Sequence, residues 1–334
     1  MLPTAAPSTT AHTPRQTPPP EPPGPATPDR ARRWRRRWHR MRNWGPGLVL
    51  LSPSLVVLAV FVYGLIGWTI NLSLQDKHNA LPSKGYTGAE NYTDLFTNDI
   101  NDRFVHSLKN LGVFTVVFIG GAILLGLCWA LLLERGARAE GFFRTIYLFP
   151  MAVSFVASGV VWRWLMNSGT GENAGGINAI FSGLGLSFLE NRWWTHPEWG
   201  MAAMALPAIW QLSGYMMALF LAGFRGIPHD LREAAVMDGT STYQLYRHVL
   251  FPQLTPVALS CLIIAGHMSM KMFDLIMSVS GPQYITEVPA VYVWQTLLTA
   301  DQAKAAAISI FLLLMVALVI VPYLIYINRT ERRS

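Results

Sequence analysis

Charge is scarce in this chain. Of its 334 residues only 13% are Asp, Glu, Lys or Arg, roughly half the share a soluble globular domain carries. Cysteine is scarcer: there are two, Cys128 and Cys261, both inside apolar runs. The nearest histidine to Cys261, His267, follows it at six residues, which is no metal-ligand spacing. No metal site is therefore expected, and the two thiols should be buried and unjoined. The phosphate-binding pattern G-x-x-x-x-G-K-[ST] is missing, and no lysine follows a glycine. H-E-x-x-H and G-x-S-x-G are missing too, so there is no catalytic residue to name and no cofactor bound by this chain.

What is plentiful is apolar sequence, 51% of the residues. It falls into six runs, at about 47–71, 111–133, 145–166, 201–223, 254–279 and 305–327. Each approaches the ~20 residues that cross ~30 Å of hydrocarbon. Unpaired peptide groups are costly in lipid, so an all-α, polytopic membrane protein with six helices is expected. Residues 1–30 are rich in Pro, Thr and Ala without an apolar period and should be disordered. Residues 31–46 set Trp34 and Trp38 four apart among arginines, which suits a membrane surface rather than nucleic acid. The run after them is too long and lacks a small-residue cleavage site, so it reads as a retained anchor.

Arginine fixes the orientation. The segment before the first run is basic, and Arg135, Arg138 and Arg144 lie between the second and third. Arg225, Arg232 and Arg247 lie between the fourth and fifth, and the 328–334 tail carries Arg329, Arg332 and Arg333. The first outer connection balances Lys77, Lys84, Arg103 and Lys109 against Asp76, Glu90, Asp94, Asp99 and Asp102. Six spans with both termini inside satisfy all of this; five would strand one basic end outside. Trp162, Trp164, Trp193, Trp194 and Trp199 then sit at the outer interface as an aromatic belt.

The inward connection 222–256 is heavily punctuated. Pro228 can open a helix, HDLREAAVM, with Asp230 early, where the helix dipole favours an anion. Gly239 is placed to end it in the left-handed conformation. Thr240 and Ser241 can cap a second helix, TYQLYRHVLF, which Pro252 and Pro256 should terminate. The result is a helix–glycine–helix elbow.

EAAVMDG followed by LFPQLTP resembles the EAA loop of binding-protein-dependent ABC importer permeases. The lead Ala222-Gly223 to Ile227-Pro228, FPMAVSFVASGVVWRW in the third run and FDLIMSVSGP after the fifth fit the same family. The likeness covers about 45–330 and is strongest to the carbohydrate branch, the maltose and glycerol-3-phosphate type. It implies a type I ABC importer permease architecture in a bacterial cell membrane. It also implies a second homologous permease subunit, two ATPase subunits that hold the ATP and Mg, and an extracellular solute-binding protein. The coupling residues it implies are Glu233, Ala234, Ala235, Asp238, Gly239 and Pro252. Glu233 would meet a basic group of the ATPase, and the alanines would let the helix approach closely. SVSGP replaces the family's T-x-G-G-P, so the turn at Gly281 and Pro282 is not carried over in detail.

His267, Lys271 and Asp274 stand at i, i+4 and i+7, one face of a continuous fifth helix. Ionisable groups at membrane depth usually face protein or water. That face either lines a solute path or pairs Lys271 with Asp274; the two are compatible. Ser269 and Met272 border it and, with Tyr215, match family positions that contact sugar. Trp210 and Gln211 add an aromatic face and an amide to the fourth run. Rings over pyranose faces and amides on hydroxyls suit a neutral sugar or small oligosaccharide. The alternatives are a non-sugar solute such as glycerol-3-phosphate, or an ion-driven transporter, for which the inverted repeats are not seen.

Overall fold

The computed structural model describes residues 49–79, 85–97, 102–136 and 139–331. The Pro-rich stretch, the 31–46 segment, Lys84, Asp99, Arg138 and the residues from 332 onward lie outside them. The described residues are mostly helical, with one isolated bridge between Gln75 and Tyr86.

Four helices are long and apolar enough to cross a membrane, and two bent pairs bring the number to six if each counts as one span. The first helix, α1, is Val49–Ser73. The chain divides after Gly64 into two compact units. The described part of the first is exposed throughout and turns π-helical at Ala59–Gly64. The second unit opens with Leu65–Ser73 and holds everything that follows. In it, α2 (Glu90–Thr97) precedes α3 (Arg103–Glu134), a 32-residue helix that starts well before the apolar run.

The third span departs from a single helix. It comprises α4 (Glu140–Ala152) and α5 (Phe155–Leu165), bent by 97°. Val153 and Ser154 between them are extended, and Ser154 caps α5 by accepting from the Ala157 amide at 3.2 Å. A short helix, α6 (Gly176–Gly183), leads to α7 (Gly200–Gly226), the fourth span. The elbow follows as α8 (His229–Met237) and α9 (Thr242–Gln253). The second bent pair is α9 with α10 (Thr255–Met270), and the fifth apolar run continues past α10 into α11 (Phe273–Val279). Then come α12 (Pro289–Leu298), a helix the apolar runs do not announce, and α13 (Gln302–Glu331).

Burial ranks the spans. In its most apolar window α7 is 67% buried, against 28% for α3 and 11% for α13. Lipid tails are as apolar as leucine, so spans associate through close packing and hydrogen bonds rather than by fleeing solvent. The α3 face that meets α7 is accordingly built on Ala122, Gly126 and Ala130 among Phe114 and Phe118. A Cβ on Gly126 would stand 2.5 Å from Met216 Cβ and 2.9 Å from the Met217 amide nitrogen, so only glycine permits this approach. Cys261 is buried in the same core, but Cys128 is exposed on the outer side of α3, contrary to expectation. An apolar run gives no hint of which residues face neighbours and which face lipid.

Trp193 also departs from the belt. Its indole donates to Asn178 Oδ1 at 2.9 Å, and the Asn178 amide donates to the carbonyls of Gly169 and Asn191, both at 2.8 Å. Asn178 thus clasps the connection between α5 and α7. Trp164 and Trp199 are exposed as a belt requires.

Candidate functional site

The elbow is built by its own backbone signals. Pro228 stands at the N-cap of α8, and Asp230 occupies the first turn. At the far end the Gly239 amide donates to Val236 O at 3.0 Å and Thr240 N to Ala235 O at 3.2 Å. That is a Schellman closure, and Gly239 takes φ of 77° to make it. Thr240 belongs to this closure and not to the next cap, because its hydroxyl donates to Ala235 O at 2.7 Å. Ser241 is the cap of α9. Its amide donates to Gln244 Oε1 at 2.9 Å while its hydroxyl accepts from the Gln244 amide at 3.4 Å, a reciprocal box. Within α9, Leu245–Leu250 is π-helical. Pro252 does not end the helix. It sits at a first-turn position of Phe251–Gln253, where its missing N–H is tolerated, and the chain bends 60° into α10 only after Gln253.

The six coupling candidates separate by exposure. Ala235 is buried, while Glu233, Ala234, Asp238, Gly239 and Pro252 are exposed. Glu233 meets one neighbour, His229 Nδ1 at 3.1 Å, one turn away. On the elbow Leu231, Val236, Met237 and Tyr243 are exposed as well, with Asp230 and Asp238 the other exposed carboxylates of this segment.

Beneath the elbow lies a cluster the sequence reading missed. Glu134, the last residue of α3, accepts from Arg232 of α8 and from the Tyr246 hydroxyl of α9. Arg232 also donates to Phe224 O at 2.9 Å, and the Arg135 guanidinium lies 5.5 Å above the Tyr246 ring. Beside it Arg225 pairs with Glu140. A cavity of about 460 Å³ lined by Glu134, Phe224, Ile227, Pro228 and Arg232 opens here. The available signal was an acid at the end of an apolar run among arginines, in LLLERGARAE.

Gln211, Ser269, Lys271, Met272 and Asp274 fall at the two breaks, while Trp210 and Tyr215 lie along α7. Gln211 is 2% exposed, and its amide donates to Val153 O at 2.5 Å. Val153 is the residue at which the third span breaks, so Gln211 serves a carbonyl that the break releases. Its Oε1 has no hydrogen-bond partner among the described residues. Trp210 is 40% exposed and packs edge-on to Trp162, ring centres 6.0 Å apart. Tyr215 is half-buried.

The fifth span does not present His267, Lys271 and Asp274 on one face. Its helix ends at Met270, and Met272 adopts φ −76° and ψ 58° with Phe273 N donating to Lys271 O at 2.8 Å. This is an inverse γ-turn. Lys271 caps the end of α10 and Asp274 lies in the first turn of α11, both exposed. Each charge stands at the helix terminus whose dipole favours it. No ion pair joins them among the described residues. Ser269 is buried and accepts from Thr115 Oγ1 of α3 at 3.0 Å, and Met272 is buried as well.

At the opposite end of α3, Arg103 grips Glu287 with both nitrogens at 2.6 Å, and the Glu287 side chain is wholly buried. Asn110 donates to the Glu287 and Ile285 carbonyls at 2.9 and 3.0 Å. His106 stacks on Tyr284 with ring centres 4.0 Å apart. A cavity of about 780 Å³ lies beside this grip, lined by Arg103, Tyr284, Tyr292, Gln295 and Lys304 among others.

Among known proteins, residues 122–333 match the model of the family described as binding-protein-dependent transport system inner membrane component. A probable ABC transporter permease of Pyrococcus horikoshii is 37% identical over 289 residues, covering 86% of this chain and 97% of that one. The xylose/arabinose import permease of Haloferax volcanii is 32% identical, over 85% and 86% of the two chains. The trehalose/maltose permease of Thermococcus litoralis is 29% identical, over 83% and 92%. In fold, a bacterial ABC transporter that imports the acidic polysaccharide alginate superposes with TM-score 0.71 at 21% identity, over 89% of this chain and 99% of that one. With this bundle and its elbow, the chain belongs to the family of binding-protein-dependent ABC transporter inner-membrane permeases.

Proposed function

We propose that this chain forms half of the path by which a sugar or small oligosaccharide is imported, driven by a separate ATPase that seats on the elbow. One observation carries this reading: α8 turns an apolar patch and Glu233 outward while it is anchored inward through Ala235 and Arg232. Val236 and Met237, three and four residues after Glu233 on α8, suit an apolar groove that also carries a basic group, and a short helix can move with its host as a rigid body. The arginine distribution supports a cytoplasmic position for this end and for both termini. A second permease, two ATPase subunits with their ATP and Mg, and an external binding protein complete the importer.

For the solute, the breaks supply the chemistry. Half-helix ends in a bundle expose backbone donors and acceptors where a polar solute crosses. Lys271 and Asp274 bring one charge of each sign, and Trp210 and Tyr215 bring aromatic surface. That inventory suits a hydroxylated solute without net charge, and the pentose and disaccharide permeases among the relatives support it. Gln211, Ser269 and Met272 are buried and shape the path from behind.

The test is uptake into vesicles with ATP on the elbow side and ion gradients collapsed. ATP-dependent accumulation of a labelled pentose or disaccharide is expected. Glu233→Ala and Gly239→Pro should each lower it about tenfold or more, since the second forbids φ of 77°. Uptake that survives ATP depletion, or wild-type uptake by both variants, would remove the elbow from the mechanism.

A further inference from the structure

The outward face of α8 explains how a partner could hold the elbow. It does not explain how the elbow could pull on the bundle. Both arms of the elbow end on one carboxylate: Arg232 of α8 on Glu134 Oε1, and Tyr246 of α9 on Oε2. The Glu134 side chain is 9% exposed and that of Arg232 24%. Charge-assisted hydrogen bonds at such low exposure are short, strong and little screened by salt. Arg232 is pinned from its other nitrogen by Phe224 O, and Tyr246 is held edge-on against the Phe224 ring at 6.3 Å. Neither arm can shift without dragging Glu134 or breaking a partly buried, charge-assisted hydrogen bond.

Glu134 is the end of a rod. From it α3 runs unbroken for 32 residues. Midway, Thr115 bonds Ser269, two residues before the break in the fifth span. At the far end Arg103 holds Glu287. No other helix among those described joins the elbow, a break and the opposite end through side-chain hydrogen bonds.

We propose that Glu134 is a positioning residue that transmits displacement of the elbow to α3, and through Thr115 and Ser269 to the break in the fifth span. It touches neither solute nor nucleotide. The inference rests on the reading that a partner ATPase moves the elbow, and its test separates the two.

In the assembled importer, with Cys128→Ala and Cys261→Ala, nitroxide pairs report two distances from one reference, Leu318→Cys on the exposed side of α13. The pair with His248→Cys reports the elbow, and the pair with Val116→Cys reports α3; both sites are exposed. Each is measured before and after Mg-ATPγS. In the otherwise unchanged protein both distances should move. In Glu134→Gln the elbow distance should still move while the α3 distance loses most of its change. The exchange Glu134→Arg with Arg232→Glu should recover part of it. Tyr246→Phe, which removes one hydroxyl and disturbs folding least, should give an intermediate change. An α3 distance that moves by its full amount in both Glu134→Gln and Tyr246→Phe overturns the proposal. An elbow distance that fails to move in the unchanged protein overturns instead the reading on which it rests.

Discussion

The second and fourth spans are continuous helices, whereas the third is cut near its middle and the fifth apolar run is interrupted after Met270. The continuous pair, α3 and α7, face one another through small residues and bury α7 more than any other span. The broken pair release backbone groups that must find partners, since no water reaches them in lipid. At Val153 the partner is Gln211, on a continuous span. At Met272 the chain closes on itself in a three-residue turn, with Lys271 and Asp274 at the two helix ends. The division of labour is plain: the unbroken helices hold the bundle, and the broken ones leave polar backbone and charged side chains at their ends.

That contrast can be broken most decisively at Gly126. Gly126→Leu drives carbon into the Met217 backbone, which cannot yield as a side chain can. A loss of about 3 kcal/mol or more is expected, read as a lower midpoint of thermal unfolding in detergent. An unchanged midpoint would show that α3 and α7 do not pack as described.

Next in size is Gln211. Gln211→Leu strands the Val153 carbonyl and should cost about 1–3 kcal/mol in the same melt. If the variant melts like the parent yet loses solute-stimulated ATP hydrolysis, Gln211 touches solute and its bond to Val153 is incidental.

The smallest effect on stability belongs to the fifth-span break. Lys271→Met and Asp274→Asn change exposed side chains without a mutual ion pair, so each should stay within about 0.5 kcal/mol of the parent. Solute-stimulated hydrolysis should fall in both. Equal stimulation in all three proteins would take this break out of the path and leave the third-span break alone.

The elbow is legible in the sequence because its signals are local. Pro228, Gly239 and Ser241 act on their own backbones, and each does what its chemistry requires; the reciprocal bond from Gln244 is added by the structure. The breaks were not legible. FPMAVSFVAS is as apolar on one side of Val153 as on the other, and the turn at Met272 contains neither Pro nor Gly. Spacing along a helix therefore misled: i, i+4 and i+7 share a face only while the helix continues, and here it stops at Met270. Glu134 escaped notice for another reason. Its role depends on arginine and tyrosine from two later helices arriving at one carboxylate, which no linear pattern encodes. The helix α12 did carry a sign, Pro289 in its first turn, but it lies in a connection too short to read as a span.

At 1.5 Å per residue the 32 residues of α3 reach about 48 Å, some 18 Å beyond a hydrocarbon core of about 30 Å. Most of that excess lies on the Arg103 side, since the apolar run of this helix starts only at about residue 111. A helix that overshoots its bilayer answers a change in thickness by tilting. Tilt of this one would displace its two ends, and the partners Glu287 and Arg232 that they hold, in opposite directions.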